Sequence, residues 1–458
     1  MDRENSYQRV AAGLHGRLWS SLKFTVSQVA SSRLSRMDAG YSTCEGNDQR
    51  RWSAIGRGFF TAKQTADAGH NPANFTHPNF DRAGIKESRV ESMQLTCRCG
   101  VDTHAHVIPE NFPRYLGSAI PADWPSMAPA HDCHRHVMIS GKVYRTVSDK
   151  CWSVGKRLAD FDDMGLALQA VSPMPELLSY WMAPSDGAQL VRFLNEQIAT
   201  MVAESAGRIV GLGAMPLQSM DLALQELRRV MATPGFAGVE IGSNINGVPI
   251  GDARFDVFFE ACESLGAAVF VHALRPTGMD RLVGPPALQQ VLAYPSDVGL
   301  AAASVLTTNL IERRPGLRIA FSHGGGTLAM LLPRLEQAYR VFPALKGGKE
   351  SMVNSPTSQA RKLFYDTLVF DTPTLQHLVA KFGPSQLMIG TDYPFNFHDR
   401  APVAHIEQAG FDDATNQMLM HANAMRFLGR ESAPATAPNE EVPQSQNCHD
   451  RIPCSLPA

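Results

Sequence analysis

The sequence predicts an α/β fold, a (β/α)8 TIM barrel with a small inserted lobe after its first strand. Eight short apolar runs alternate with segments of helical periodicity, a pattern typical of βαβ units and a parallel sheet. Several of the runs end in histidine or aspartate, and the C-terminal ends of the strands are where barrels place their functional side chains. The stretch from 93 to 430 is long enough for one barrel with an insertion.

Each predicted strand is a short run of aliphatic, aromatic and small residues, as expected for strands buried on both faces. In chain order they are the segment leading into Val101, then 167–171, 209–212, 238–241, 267–271, 317–321, 364–370 and 387–389. Apolar residues at helical spacing lie between them, most clearly at 189–205, 221–232, 257–265 and 327–339.

The inserted lobe is predicted at about 117–154, a section longer than an ordinary connection from strand to helix. Within it, residues 138–144 form the pattern of a β-hairpin around Ser140-Gly141, since glycine suits a tight turn. We therefore expect a small lobe over the mouth of the barrel.

The two ends of the chain differ from this central part. Residues 1–92 lack sustained periodicity, which predicts a disordered extension or an upstream start with Met93 as the true beginning. Residues 431–458 are rich in Pro, Asn, Gln and Ala and are predicted to form a disordered tail. The predicted folded unit is 93–430.

Composition narrows the class of protein. The chain has 458 residues, 44% of them hydrophobic, and a formal charge of −2, so a wholly disordered chain is excluded and no general attraction to nucleic acid is expected. No run of 18 apolar residues is present, which argues against a membrane span. Eight cysteines without a CxxC pair favour unpaired thiols in a reducing, cytoplasmic compartment. The tract 131–136, rich in histidine, is too compact to surround an ion and is predicted to be an ordinary loop.

The first strand ends in the motif DTHAH, which contains His104 and His106. Alternate residues of a strand face the same way, so both imidazoles can bind one divalent cation. Asp102 is a candidate to orient one of the rings.

Three later strands end in further candidate residues, His272 in FVHA, His323 in FSHGGG and Asp392 in GTDYPF. Three histidine nitrogens and a carboxylate suit zinc or a similar ion with one position left for water. His323, followed by three glycines, is a candidate base, although it could instead be a ligand. A single ion is predicted, because the fourth strand carries no lysine that could bridge two.

In order and spacing, these four motifs resemble the amidohydrolase superfamily. More narrowly, they resemble the branch that contains 2-amino-3-carboxymuconate-6-semialdehyde decarboxylase, over about residues 101–428. The resemblance implies that one Zn²⁺ per subunit is held by His104, His106, His272 and Asp392, with His323 as the acid/base residue.

The same resemblance suggests how a small carboxylate substrate is held. Arg145 matches a residue that binds a substrate carboxylate, and Trp152 matches an aromatic residue in the same segment. Arg334 matches an arginine that reaches into the neighbouring subunit's site, which implies a homodimer. Two departures leave the substrate open: Ala273 stands where proline is common, and the segment 274–279 differs.

The leading hypothesis is a mononuclear zinc-dependent decarboxylase acting on an unsaturated or aromatic carboxylic acid through metal-activated water. The alternative is a hydrolase of the same superfamily that opens a lactone or amide-like bond, since one activated water serves both reactions. A barrel retained only for binding would be expected to lack a ligand or the base, and neither is missing.

Overall fold

The computed structural model describes residues 99–117, 119–346 and 351–431. The predictions for residues 1–92 and for the tail, apart from Glu431, concern residues outside these ranges. Within the described part, no helix is long and apolar enough to cross a membrane.

Eight parallel strands form one sheet in chain order and confirm the predicted barrel. The first and last strands meet where Thr103 N–H donates to the carbonyl of Ile389 at 2.9 Å and Ala105 bridges Tyr393. The barrel strands are Gly100–Val107, Leu166–Pro173, Ile209–Ala214, Phe236–Gly242, Ala268–His272, Ile319–Phe321, Phe364–Asp366 and Leu387–Met388, numbered 1 to 8 below.

All eight predicted strands are present, but strand 7 ends at Asp366 rather than at residue 370. The apolar run predicted a longer strand, whereas the chain leaves the sheet after Asp366 and turns toward the mouth of the barrel. There Val369 and Phe370 line a cavity, which explains their apolar character.

The helices surround the barrel and begin and end at recognisable signals. Thr372–Phe382, for example, begins after Asp371, whose side chain accepts from Thr374 N–H, the usual N-cap bond. The α-helices are Val154–Met164, Pro184–Glu204, Met220–Met231, Asp256–Leu265, Tyr294–Thr307, Leu310–Arg313, Leu328–Val341, Pro356–Ala360, Thr372–Phe382, Pro402–Glu407, Asp413–Gln417 and Asn423–Leu428. Two π-helical turns, Gln289–Ala293 and Met418–Ala422, precede the fifth and the last of these.

The barrel interior is filled at the end where the strands begin. Val101 and Phe270 are fully buried there in one apolar cluster with Phe427 and Leu428. Because the final helix contributes to this cluster, the lower end is occupied by apolar side chains. Polar chemistry is therefore confined to the opposite end, where the strands finish.

The inserted lobe is a three-stranded antiparallel sheet of Ser126–Pro129, His134–Ile139 and Lys142–Ser148. Its buried Val137 and Val147 join an apolar cluster with Phe395 from the loop after strand 8, so the lobe lies over the mouth of the barrel.

The histidine-rich tract belongs to this lobe, and its second half departs from the prediction of a loop. His134, Arg135 and His136 lie in a strand, paired with the strand Lys142–Ser148. Among the described residues, the tract takes no part in the candidate set of metal-binding side chains.

Candidate metal centre

Two histidines of strand 1 begin the site. His104 and His106 are fully buried, and their Nε2 atoms lie 3.2 Å apart. The alternation of side chains along the strand places both on the inner side, as the sequence predicted.

Strand 5 and the segment after strand 8 complete a four-residue group. The ligand atoms of His104, His106, His272 and Asp392 all lie within 4.8 Å of one another. Asp392 Oδ1 is 3.1 Å from His106 Nε2 and 3.7 Å from His104 Nε2. Ligands at about 2.0–2.1 Å from a tetrahedral zinc ion stand roughly 3.3 Å apart, so these separations fit a common ion.

The outer nitrogen of each histidine has a partner that directs the inner one toward the centre. Nδ1 of His104 lies 2.7 Å from Asp366 Oδ2, that of His106 lies 3.2 Å from the carbonyl oxygen of Pro173, and that of His272 lies 2.8 Å from that of Ala273. Carbonyl oxygens only accept hydrogen bonds, so Nδ1 of His106 and His272 is the protonated nitrogen. Nε2 of His272 is buried without a partner, as expected of a nitrogen that binds an ion.

Asp392 and His272 are held in the forms that bind a cation. For His104, burial lowers the pKa, but Asp366 outweighs burial and raises the pKa to about 9, so that ring would give up a proton when an ion binds. Burial raises the pKa of Asp392, but the hydrogen bond to His106 and the nearby imidazoles outweigh it and bring the pKa to about 2. Burial and the neighbouring histidines lower the pKa of His272 well below its usual value. Asp392 is therefore ionised and His272 neutral near pH 7, the forms in which both bind metals.

Asp366, at the end of strand 7, is a functional residue that the sequence reasoning missed. Its Oδ2 accepts from His104 Nδ1 and, at 2.9 Å, from the backbone N–H of His323. Its Oδ1 accepts from Gly324 N–H at 2.7 Å. One buried carboxylate thus positions a candidate ligand and the candidate base together. The available signal was a single acid within an otherwise uncharged run, because the predicted strand continued to residue 370 and concealed the strand end.

Asp102 does not orient a histidine ring, which corrects the prediction for this residue. Its Oδ1 accepts from the backbone N–H groups of His104 and Thr391 at 3.0 and 3.2 Å. Its Oδ2 accepts from Gln169 Nε2 and the Thr391 hydroxyl, both at 2.7 Å. The Asp102 side chain therefore binds groups of strand 1, strand 2 and the segment after strand 8 rather than a histidine ring, and it links these three parts of the barrel.

A second buried acid, Glu240 of strand 4, stands behind His106, where a two-metal site would need a bridging group. It accepts a hydrogen bond from the Ser172 hydroxyl and lies 3.7 Å from His106 Nδ1. Burial raises the pKa of Glu240 to about 8. The carboxyl is therefore largely protonated near pH 7, and it faces the outer nitrogen of His106 rather than the four converging atoms.

His323 lies beside the four-residue group without being part of it. Its ring centre is 5.4 Å from that of His104 and 5.1 Å from that of His272. Burial, reinforced by the charge of His104, lowers its pKa to about 4, so the imidazole is neutral and able to accept a proton near pH 7.

The three glycines after His323 are required by the turn that presents it. His323 and Gly324, Gly325 and Gly326 all have positive φ, which only glycine adopts readily. A Cβ on Gly326 would lie 1.9 Å from the carbonyl oxygen of Pro295. The glycines of this segment are thus required by its backbone conformation and by the close approach to Pro295.

A cavity of about 260 Å³ opens from the centre beneath the lobe. His272, His323 and Asp392 form its floor, and Arg145 lies in its wall. The guanidinium carbon of Arg145 is 4.1 Å from the centre of the Phe395 ring. Arg145 is thus placed where a ligand beside the centre would meet it.

The structure does not bring Trp152 and Arg334 to this cavity. Trp152 follows the short turn Asp149–Cys151 and lines a separate cavity with Leu194 and Met201. Trp152 is not among the residues that line the cavity beside the four-residue group, and its predicted contact with a substrate stays a prediction. Arg334 is exposed on the helix Leu328–Val341 and does not line this cavity.

Comparison with known proteins agrees with this geometry. The amidohydrolase family model matches residues 101–430. A curated relative, 2-amino-3-carboxymuconate-6-semialdehyde decarboxylase of Dictyostelium discoideum, is 34% identical over 72% of this chain and 91% of its own length.

Solved structures share the fold. IDCase of Metarhizium anisopliae in apo form superposes with a TM-score of 0.62 at 19% identity, covering 73% of this chain and 98% of that protein. A dihydroxybenzoic acid decarboxylase from Polaromonas with bound manganese gives a TM-score of 0.56 at 18% identity, covering 73% and 98%.

The fold and the cluster of three histidines and an aspartate define a metal-binding barrel protein. The chain belongs to the amidohydrolase family. It is an enzyme of that superfamily, and its curated relatives are named as decarboxylases.

Proposed function

We propose that this chain is a mononuclear zinc-dependent decarboxylase that removes CO2 from an unsaturated or aromatic carboxylic acid. The observation that carries the proposal is the convergence of four ligand atoms beside a neutral histidine, in a cavity whose wall contains an arginine. The relative from Dictyostelium is named for a decarboxylation.

One ion is proposed because the described residues bring together one candidate set, held by His104, His106, His272 and Asp392. Three imidazole nitrogens and one carboxylate suit zinc well, and the manganese in the Polaromonas protein makes other divalent ions a comparison for the test. When bound, such an ion supplies Lewis acidity and an activated water near neutral pH.

His323 is proposed as the acid/base residue. Its Nδ1 lies 3.3 Å from the Ser322 hydroxyl, so Nε2 is the atom proposed to accept a proton from water in the cavity. When the bond between the substrate carbon and its carboxylate breaks, CO2 leaves and the electron pair stays on that carbon, while the hydroxide left from the water takes up a proton from solvent. His323 then returns a proton to that carbon, which restores the neutral imidazole.

Arg145 is proposed to hold a substrate carboxylate. A guanidinium can donate two parallel hydrogen bonds to a carboxylate, and the stacking of Arg145 on Phe395 restrains its position. The cavity therefore combines a carboxylate anchor with a proton-transfer group, which orients the substrate for reaction.

A homodimer is proposed, with Arg334 of one subunit serving the site of the other. Arg334 is exposed, and beside it on the same helix Met330 and Leu331 are 73% and 43% exposed. Exposed apolar side chains that cluster on one face are typical of an interface. We also propose a cytoplasmic location, because Cys133, Cys151 and Cys262 form no disulfide within the described residues.

The test is product analysis with the zinc-loaded protein on a panel of aromatic acids, unsaturated acids and lactones. Release of CO2 in step with substrate loss is expected. A ring-opened acid without CO2 would instead identify a hydrolase, the alternative that uses the same centre.

A further inference from the structure

The cavity wall contains an acid that the proposed mechanism does not use. Glu176 lies in the short turn Pro175–Leu178 directly after strand 2. It lines the same cavity as His323 and Arg145, and its side chain is only 10% exposed. An acid in the wall of a cavity proposed to take an acidic substrate requires an explanation.

One oxygen of Glu176 is fully engaged. Arg275 donates to Glu176 Oε1 from Nε at 3.1 Å and from Nη2 at 2.8 Å. The Arg275 guanidinium also stacks on Trp181, with its carbon 3.0 Å from the ring centre. Arg275 is therefore committed to Glu176 and Trp181 and is not a second anchor for a substrate carboxylate.

The other oxygen of Glu176 remains available. Within the described residues Oε2 accepts no hydrogen bond, and it is not among the fully buried atoms that lack a partner. Since Glu176 lines the cavity, this oxygen presents acceptor lone pairs to whatever occupies it.

Arg275 of this ion pair has an uncommon backbone conformation. Arg275 follows the candidate ligand His272 by three residues and has a φ of 41°, an unusual value for a residue other than glycine. The two hydrogen bonds to Glu176 thus hold Arg275 in this uncommon backbone conformation, close in the chain to a candidate ligand.

We propose that Glu176 determines substrate specificity by accepting a hydrogen bond from a hydroxyl or amino group of the acid and by disfavouring a second carboxylate at that position. This inference rests on the proposed function, because it assumes a carboxylate ligand held by Arg145. A donor would satisfy Oε2, whereas a second carboxylate would meet an acceptor and a like charge.

Calorimetric titration of the metal-loaded protein tests the inference without measuring turnover. The probes are benzoate and its hydroxy, amino, methoxy and carboxy derivatives at ring positions 2, 3 and 4. At one ring position, the hydroxy and amino acids should bind about ten- to hundred-fold more tightly than the methoxy and carboxy acids, the usual effect of a hydrogen bond to a charged group.

Two variants of Glu176 and one control should separate specificity from folding. Glu176→Gln turns the free acceptor into a donor, so the preference should fall below about threefold while benzoate affinity is unchanged. Glu176→Leu should also abolish the preference, and it should bind the carboxy acid more tightly than wild type does, because the like charge is gone. Glu260→Gln removes the acid of another Glu–Arg pair, that with Arg314 on the outer surface, and should keep the wild-type preference.

Two results would overturn the inference. One is the same preference in wild type and in both Glu176 variants. The other is that wild type binds the carboxy acid more tightly than the hydroxy and amino acids. This binding experiment can fail independently of the test for CO2 release. CO2 release with an unmoved preference rejects only the role of Glu176. A preference that moves while no acid releases CO2 rejects only the decarboxylation.

Discussion

At the scale of single residues, the site depends on which nitrogen each histidine turns inward. Asp366 and the carbonyl oxygens of Pro173 and Ala273 hold the outer nitrogens. Among these three, Asp366 is the one that also holds the backbone of His323. Metal affinity and proton transfer should therefore both respond to this carboxylate.

Asp366→Asn is expected to weaken metal binding by about 10- to 100-fold, the usual loss when a partner of a metal-binding histidine is removed. Its turnover at saturating metal should also fall, because the amide no longer fixes His323 as the carboxylate does. Metal titration and kcat at saturating zinc measure the two effects. The control is Asp371→Asn, the same substitution at the N-cap of the neighbouring helix, where Asn caps about as well as Asp and stability should change little. Equal metal affinities for both variants would contradict the role of Asp366.

His272→Ala is expected to reduce metal affinity more severely than Asp366→Asn, because it removes a proposed ligand. Elemental analysis after gentle purification should find well under one ion per chain. His405→Ala serves as the control, since His405 pairs with Asp399 away from the four-residue group. A stoichiometric ion in His272→Ala would reject the ligand set.

The sequence allowed the three histidines and Asp392 to be predicted because strand ends converge in a barrel. It did not reveal Asp366, which lies 262 residues from His104 along the chain and whose contact depends on the closed barrel. The sequence also did not show that Trp152 lines a separate cavity, because its position depends on the turn Asp149–Cys151 that precedes it.

At the scale of elements, the turn after strand 6 is the most constrained. Four successive residues have positive φ, and Gly326 approaches Pro295 of the preceding long helix closely. Predicting the strand required only its apolar run, whereas predicting the turn required knowing which helix it touches.

Gly326→Ala is expected to lower the free energy of unfolding by about 3 kcal/mol or more, from backbone strain and the contact with the Pro295 carbonyl. Gly410→Ala offers a matched control, because Gly410 also has positive φ (73°) but open space at its Cβ position. It should cost only about 1 kcal/mol. Chemical denaturation measures both, and equal losses would show that the close approach has no energetic effect.

At the scale of the whole molecule, the barrel closes within the described range 99–431, through the contacts of strand 1 with the segment after strand 8. A chain of residues 93–431 should therefore fold, bind one metal ion and unfold at the temperature of the full chain. Thermal unfolding and metal analysis compare the two. A shorter chain that fails to fold would refute the prediction that residues 1–92 are dispensable.

If Arg334 completes the site of the partner subunit, two variants that are inactive alone should regain activity in mixed dimers. Arg334→Met and His323→Asn should each be inactive alone. Co-expressed, they should recover about a quarter of wild-type activity, because half of the dimers are mixed and each has one intact site under twofold symmetry. No recovery in mixed dimers, isolated by separate tags, would place Arg334 outside the partner's site.

The four-residue group is proposed to hold an ion that decarboxylation requires. The most direct measurement is CO2 release from the acid panel by protein stripped with a chelator and then titrated with zinc. We predict no release from the stripped protein and full recovery at one equivalent of zinc, with none in His272→Ala. CO2 release that persists after stripping, or a hydrolysed product without CO2, would contradict the claim.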